Sequence, residues 1–254
     1  IYSARFIGDR SYIVTFKKVD PLFVIDLSSP SDPRVLGYLK IPGYSDYLHP
    51  YDENHVIGLG KEAVDSGEDL VSGRSMDFAW YQGVKISLFD VSDVTNPIEK
   101  HKFVIGDRGT NSPALYEHKA FLFDYERNLL VLPIELYEID ESQYDGEEVP
   151  DTARGEFVWQ GAYIFDLSLD GIELRGRVSH DDSNIDYNDY SYYWGNWNTA
   201  IKRTLYMDNV LYTISNSKIV ASDLELVSSP GMFLKQIKEL IINELDYPTH
   251  YWAE

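Results

Sequence analysis

Short apolar runs, separated by clusters of Gly, Pro, Asp, Asn and Ser, recur along the whole chain. One word repeats four times, an apolar run ending in Asp: Val24-Ile25-Asp26-Leu27-Ser28, Leu88-Phe89-Asp90-Val91-Ser92, Ile164-Phe165-Asp166-Leu167-Ser168 and the degraded Ala221-Ser222-Asp223-Leu224-Glu225. The aspartates lie 64, 76 and 57 residues apart, so each unit is longer than four minimal strands and carries an extra loop. After the first three words come turn residues and another strand-like run, Arg34–Ile41, Ile98–Ile105 and Ile172–Val178. Proline presets φ and short polar side chains bond the turn backbone, so these are hairpins. The repeated Asp reads as a turn-capping acceptor and not as a catalytic group.

Upstream of each word lie two further strand candidates joined by a polar turn. They are Arg5–Gly8 with Ser11–Phe16, Tyr44–His49 with His55–Leu59, Ala120–Phe123 with Leu129–Ile134, and Ile201–Tyr206 with Val210–Ser215. Four strands in sequence, repeated, are the signature of propeller blades, which must bury both faces against neighbours. The pattern predicts an all-β chain, a β-propeller with about four blade-like units over residues 1–229: 2–43, 44–113, 114–182 and 198–229. The fourth unit shows no fourth strand, which reads as part of a larger ring. Segments 61–82, 137–155 and 181–198 interrupt the units and are expected to project as binding loops. In the tail, 230–254, Leu234, Ile237, Leu240, Ile241 and Leu245 recur at helical spacing behind Ser229 and Pro230. That spacing predicts a C-terminal α-helix with a serine N-cap.

Residues 12–60, with Val19-Asp20-Pro21-Leu22-Phe23-Val24-Ile25-Asp26-Leu27-Ser28 and Leu36-Gly37-Tyr38-Leu39-Lys40-Ile41-Pro42-Gly43, resemble the secreted β-propeller domain family of archaea and bacteria that is distantly related to WD40 repeats. Gly106-Asp107-Arg108-Gly109, followed by Ala114-Leu115-Tyr116-Glu117-His118-Lys119-Ala120-Phe121-Leu122-Phe123, is similar to it as well. The resemblance implies an extracellular or cell-surface protein whose propeller is the carboxy-terminal part of a longer chain. It brings no catalytic motif.

Composition narrows the chemistry. With 22 Lys and Arg against 42 Asp and Glu, the formal charge is −20, a field that repels nucleic acid and anionic lipid. No nucleic-acid partner is expected. Apolar runs such as Leu129–Leu132 fall far short of the roughly 20 residues of a membrane helix, so no membrane-spanning segment is expected. Cysteine is absent, which removes disulfides and thiolate chemistry. The chain opens on Ile1 without a signal-peptide pattern and reads as an excised or processed piece.

The sharpest local pattern is Asp182-Ser183-Asn184-Ile185-Asp186-Tyr187-Asn188, with oxygen donors at alternate positions. Asp182, Asn184, Asp186 and Asn188 suit a hard cation, and calcium is the expected cofactor. Tyr187 and Tyr193 stand where an EF-hand needs Gly and Glu, so that motif is excluded. Immediately after it, Tyr190, Tyr193, Trp194 and Trp197 offer rigid aromatic faces for a sugar or a protein partner. The same rings equally suit packing between blades. The acids of 137–155 read as a solvated face, and the histidines show no paired metal spacing. Gly58-Leu59-Gly60 lacks the third glycine and the helix of a dinucleotide site, and no nucleophile elbow or phosphate loop is present.

These readings converge on an extracellular or cell-surface module that binds a protein or glycan, without enzymatic activity. Two alternatives stay open. One is a carbohydrate-active enzyme, which needs two acids converging from innermost strands at the separations glycoside hydrolysis uses. The other is a purely structural component of the cell envelope.

Overall fold

The computed structural model describes residues 1–15, 20–65, 79–181, 198–228 and 231–242. Sixteen strands form four antiparallel meanders, the blades. Blade 1 holds β1 (Ser3–Ile7), β2 (Arg10–Val14), β3 (Asp20–Asp26) and β4 (Arg34–Ile41). Blade 2 holds β5 (Tyr44–Pro50), β6 (His55–Asp65), β7 (Ala79–Asp90) and β8 (Ile98–Ile105). Blade 3 holds β9 (Leu122–Asp124), β10 (Leu129–Glu138), β11 (Glu156–Ser168) and β12 (Gly171–Val178). Blade 4 holds β13 (Arg203–Met207), β14 (Val210–Ile214), β15 (Lys218–Ser228) and β16 (Phe233–Ile241). The first strands β1 and β5 approach each other, β13 approaches β10, and the outer strands β4, β8, β12 and β16 approach in turn.

Each junction between successive blades is one apolar cluster. Tyr12, Leu22 and Val24 meet Leu48, Val56 and Phe89 between blades 1 and 2. Ile57, Ile86 and Leu88 meet Leu130, Leu132 and Phe165 between blades 2 and 3. Leu129, Val131 and Ile164 meet Leu211, Val220 and Leu234 between blades 3 and 4. Neighbouring residues of one middle strand therefore serve opposite clusters: Val56 against Ile57, Leu88 against Phe89, Ile164 against Phe165. This follows from the two-residue period of a strand, and it explains why Leu129–Leu132 is apolar without interruption. Blades 2 and 3 bury both faces. On the far face of blade 1, Phe6 and Tyr38 are 67% and 56% exposed, and on that of blade 4 Met207 is 58% exposed.

The four units share more than the Asp word. In every blade one extra residue bulges from the fourth strand opposite the step just before that Asp: Leu36, Lys100, Arg175 and Ile237. In every blade the amide after the Asp donates to the carbonyl of the turn before the second strand. The pairs are Leu27 with Asp9 (2.7 Å), Val91 with Asn54 (2.8 Å), Leu167 with Asn128 (2.7 Å) and Leu224 with Asn209 (2.9 Å). Three of the aspartates cap their turns as expected, accepting at 2.9 Å from the amides of Ser28, Ser92 and Glu225. Asp166 departs from the rule and pairs with the bulged Arg175.

The expected C-terminal helix is overturned. Residues 233–241 form β16, the fourth strand that blade 4 lacked, and the described residues contain only 3-10 turns. The bulge at Ile237 is the reason for the misreading: the extra residue stretches a two-residue alternation into the three-residue spacing Leu234, Ile237, Leu240. The first 65 residues also differ from expectation at one end, since β6 runs through 61–65 and β7 begins at Ala79, inside the segment read as an inserted loop. Blades 3 and 4 are tied at the rim by a parallel bridge between Arg177 and Phe233. The Arg177 guanidinium lies 5.5 Å from the Trp159 ring and 5.2 Å from that of Phe233, and donates to the Gly231 carbonyl at 2.7 Å. No described helix is long and apolar enough to cross a membrane.

Candidate functional site

Strand β9 is only three residues long, which leaves most of β10 without an inner neighbour in its sheet. The segment after β8 takes that place. Asp107 N donates to the Tyr137 carbonyl (2.8 Å), and Thr110 Oγ1 accepts from Tyr137 N (2.9 Å). Asn111 and Glu135 exchange both backbone bonds at 2.9 Å, and Ser112 Oγ donates to the Pro133 carbonyl at 2.6 Å. Gly106 permits the entry turn, since its φ is +59° and a Cβ there would collide with the Thr110 hydroxyl and the Tyr137 carbonyl. The Gly106-Asp107-Arg108-Gly109 word is thus a strap that completes blade 3.

Beside the strap, between blades 3 and 4, lies a cleft of about 520 Å³. Pro133, Ile134, Glu135 and Tyr137 of β10 line it with Phe157, Gln160 and Gly161 of β11, the turn residues Pro113, Tyr116 and Glu117, and Ala200–Arg203 at the start of blade 4. Tyr137 and Phe157 meet edge to face with ring centres 5.5 Å apart. Arg203 Nη2 lies 3.3 Å from Glu117 Oε2, while Lys202 Nζ donates to Asn216 Oδ1 at 3.0 Å. The Gln160 amide donates to Asp181 Oδ1 and Thr199 Oγ1, both at 3.0 Å, and so holds the start of blade 4 against β11. Burial, then the nearby Glu135 carboxylate, raises the Tyr116 hydroxyl pKa above its ordinary value.

A line of charge runs inward from this cleft. Lys61 donates to the Thr110 carbonyl of the strap, and burial pushes its ammonium down to about 8 against the opposing pull of Asp46 and Glu135. Asp46 is the bulged residue of β5, the innermost strand of blade 2, and burial pushes its carboxyl up to about 6 against the pull of Lys61. A carboxyl whose folded pKa exceeds its unfolded one stabilises fully below the unfolded value and loses that contribution as pH rises through the folded one. Asp46→Asn is therefore expected to raise the urea midpoint above pH 6, with the gain shrinking as pH falls from 6 to 3.8. Denaturant titrations across that window check it; a gain independent of pH would contradict the assignment.

The described histidines are occupied structurally. His55 Nδ1 meets Asp52 Oδ1 at 2.9 Å, and His101 Nε2 meets the Leu169 carbonyl at 2.9 Å. His118 stacks on Tyr47 at 4.4 Å. Burial lowers His49 and His180 to about 4, with His49 Nδ1 beside the Tyr47 hydroxyl (3.0 Å) and His180 Nε2 beside that of Thr213 (2.8 Å).

Asp182, Asn184, Asp186 and Asn188, like Tyr190, Tyr193, Trp194 and Trp197, fall outside the described residues. Among the described residues no group of three or more His, Asp or Glu side chains is placed to hold a metal ion. The expectation of calcium is corrected to that extent: among the described residues the repeated aspartates are spent on turns and on Arg175, and the histidines on carboxylate, hydroxyl, carbonyl and ring partners. Sequence reading missed Tyr116, Glu117, Glu135, Phe157 and Arg203, which come from separate stretches and share no spacing. The one signal near them was the glycine word that builds the strap.

Comparison with known proteins agrees with this architecture. An uncharacterised protein of Methanocaldococcus jannaschii is 39% identical over 219 residues, covering 86% of this chain and 26% of that protein. One from Archaeoglobus fulgidus is 39% identical over 166 residues, covering 65% of this chain and 23% of that protein. The chain thus spans about a quarter of the length of these curated relatives. Among solved structures, a Synechocystis apocarotenoid oxygenase mutant is similar at a TM-score of 0.38 with 10% identity, over 90% of this chain and 46% of that one. The family model of the beta propeller domain matches residues 1–227, which take in blades 1 to 3, the strap and blade 4 as far as β15, and the chain belongs to that family.

Proposed function

We propose that the chain is a binding module, working outside the cell or at its surface, whose recognition element is the cleft between blades 3 and 4. The observation that supports this is the cleft itself: about 520 Å³, within the roughly 300–1,000 Å³ of small-ligand sites, with an apolar lining and a few convergent polar groups. Strands β10 and β11 supply Glu135, Tyr137 and Phe157, the turn after the strap supplies Tyr116 and Glu117, and the Gln160 bonds fix one flank. An NMR fragment screen on the isotope-labelled chain tests it. Hits shifting the amides of Glu135, Gly161 and Ile201 are expected; a screen with no hit at these residues overturns the reading.

A hydrolytic reading is favoured by one observation, the innermost position of Asp46 together with a carboxyl pushed up to about 6, in the range of a general acid. It requires release of new reducing ends from a polysaccharide and their loss in Asp46→Asn. The binding reading requires none.

A further inference from the structure

We propose that the ligand of the cleft is an uncharged saccharide, gripped through a vicinal pair of hydroxyls by Glu117 and Arg203, with a sugar ring against Tyr137 and Phe157. The inference rests on the reading of the cleft as a binding site and names what it binds.

Charge decides against ionic ligands. The cleft carries two carboxylates, Glu117 and Glu135, and two cations, Lys202 and Arg203, so its own charge cancels. An anion would approach against the field of a chain with formal charge −20. A cation would enter beside Lys202 and Arg203, and Arg154 already lies 5.7 Å from the Tyr137 ring. A neutral ligand meets neither opposition.

Hydrogen-bond chemistry then narrows the class. A carboxylate only accepts and a guanidinium only donates, and here one of each stands 3.3 Å apart. Adjacent hydroxyls of a sugar do both at once, giving their protons to Glu117 and accepting from Arg203. A simple apolar ligand would draw on neither group and leave them paired with each other. Opening the pair costs little, since an ion pair so open to solvent is weak, and its side chains are 44% and 37% exposed. The other half of a sugar is its face of C–H groups, which suits the edge-to-face Tyr137–Phe157 pair and the apolar Pro133 and Ile134.

The test uses the labelled chain with cellobiose, maltose, mannobiose and diacetylchitobiose, against glucuronic acid, glucosamine and the dipeptide Gly-Tyr. At least one neutral disaccharide is expected to shift the amides of residues 134–137, 157–161 and 200–203. Glu117→Gln and Arg203→Lys are each expected to weaken it about tenfold, one hydrogen-bonded contact's worth at ~1.4 kcal/mol. Phe157→Ala is expected to weaken it while leaving the Glu117 and Arg203 effects in place. Preference for a charged sugar or the dipeptide, or indifference to both Glu117→Gln and Arg203→Lys, overturns the proposal. If screening fragments occupy the cleft and none of the four neutral disaccharides does, the ligand class falls and the binding reading stands. If neither occupies it, both fall.

Discussion

Lys85→Ala is expected to cost about 3–5 kcal/mol of folding stability, the usual penalty for stripping one partner from a buried ion pair. Lys85 sits on β7 at 2% exposure, with its ammonium 3.7 Å from Glu62 and 3.8 Å from Glu99. It also donates to the carbonyl of Pro42, in the link between blades 1 and 2, so one side chain neutralises two half-hidden carboxylates and ties two blades together. Lys102 holds Glu62 from the solvent side at 2.8 Å, and Ser87 donates to Glu99 at 2.6 Å. Glu99 is therefore the acid left most exposed to the loss. Lys85→Met, which keeps the apolar stem, should cost nearly as much, and adding Glu99→Gln should recover a good part of it. Urea titrations read by circular dichroism and tryptophan fluorescence decide the matter. A loss below about 1 kcal/mol for Lys85→Ala, the size of a surface ion pair, would show that water already serves those carboxylates.

Phe165→Ala is expected to cost about 3–5 kcal/mol, the transfer energy of the ring together with the cavity left behind. The ring is fully buried between blades 2 and 3, 5.2 Å from Phe103 and 6.0 Å from Tyr163. Its neighbour Ile164 faces the other way, into the cluster with blade 4. Hydrogen exchange separates the two positions: Phe165→Ala should lower amide protection chiefly in β6 and β7, and Ile164→Ala chiefly in β14 and β15. Identical footprints would mean that the junctions do not act independently.

Much of this architecture was legible because strand alternation and turn chemistry are local. Asp26, Asp90 and Asp223 sit at hairpin corners where short acidic side chains are chosen for their bond to the next turn amide, a property that needs no distant partner. The strand β16 was not legible for the opposite reason. Beyond Phe233 and Leu234 its apolar residues face little: Ile237 and Leu240 are largely exposed, and its conformation comes from pairing with β15, a long-range bond pattern that overrides a helical spacing. The cleft was illegible in the same way. Glu117 and Arg203 are 86 residues apart in sequence and meet only because a strap of two glycine turns lets 107–112 lie along β10. The aromatic and acidic words at 182–197 attracted attention by composition, whereas the cleft's residues are individually ordinary.

The opposed duties of adjacent residues in the middle strands also bear on where this chain tolerates a change of length. One residue inserted just ahead of Leu129, with the preceding turn held in place, would turn Leu129 and Val131 toward blade 2 and Leu130 and Leu132 toward blade 4, exchanging two cores at once. An added residue is harmless only where no alternation has to be kept. The segment 139–155, joining β10 to β11, is such a place, and it leaves the sheet after Glu138 and re-enters at Glu156, the pair next to Tyr137 and Phe157. Evolution and the protein engineer are confined to the same sites, and a loop grafted there arrives at the mouth of the cleft.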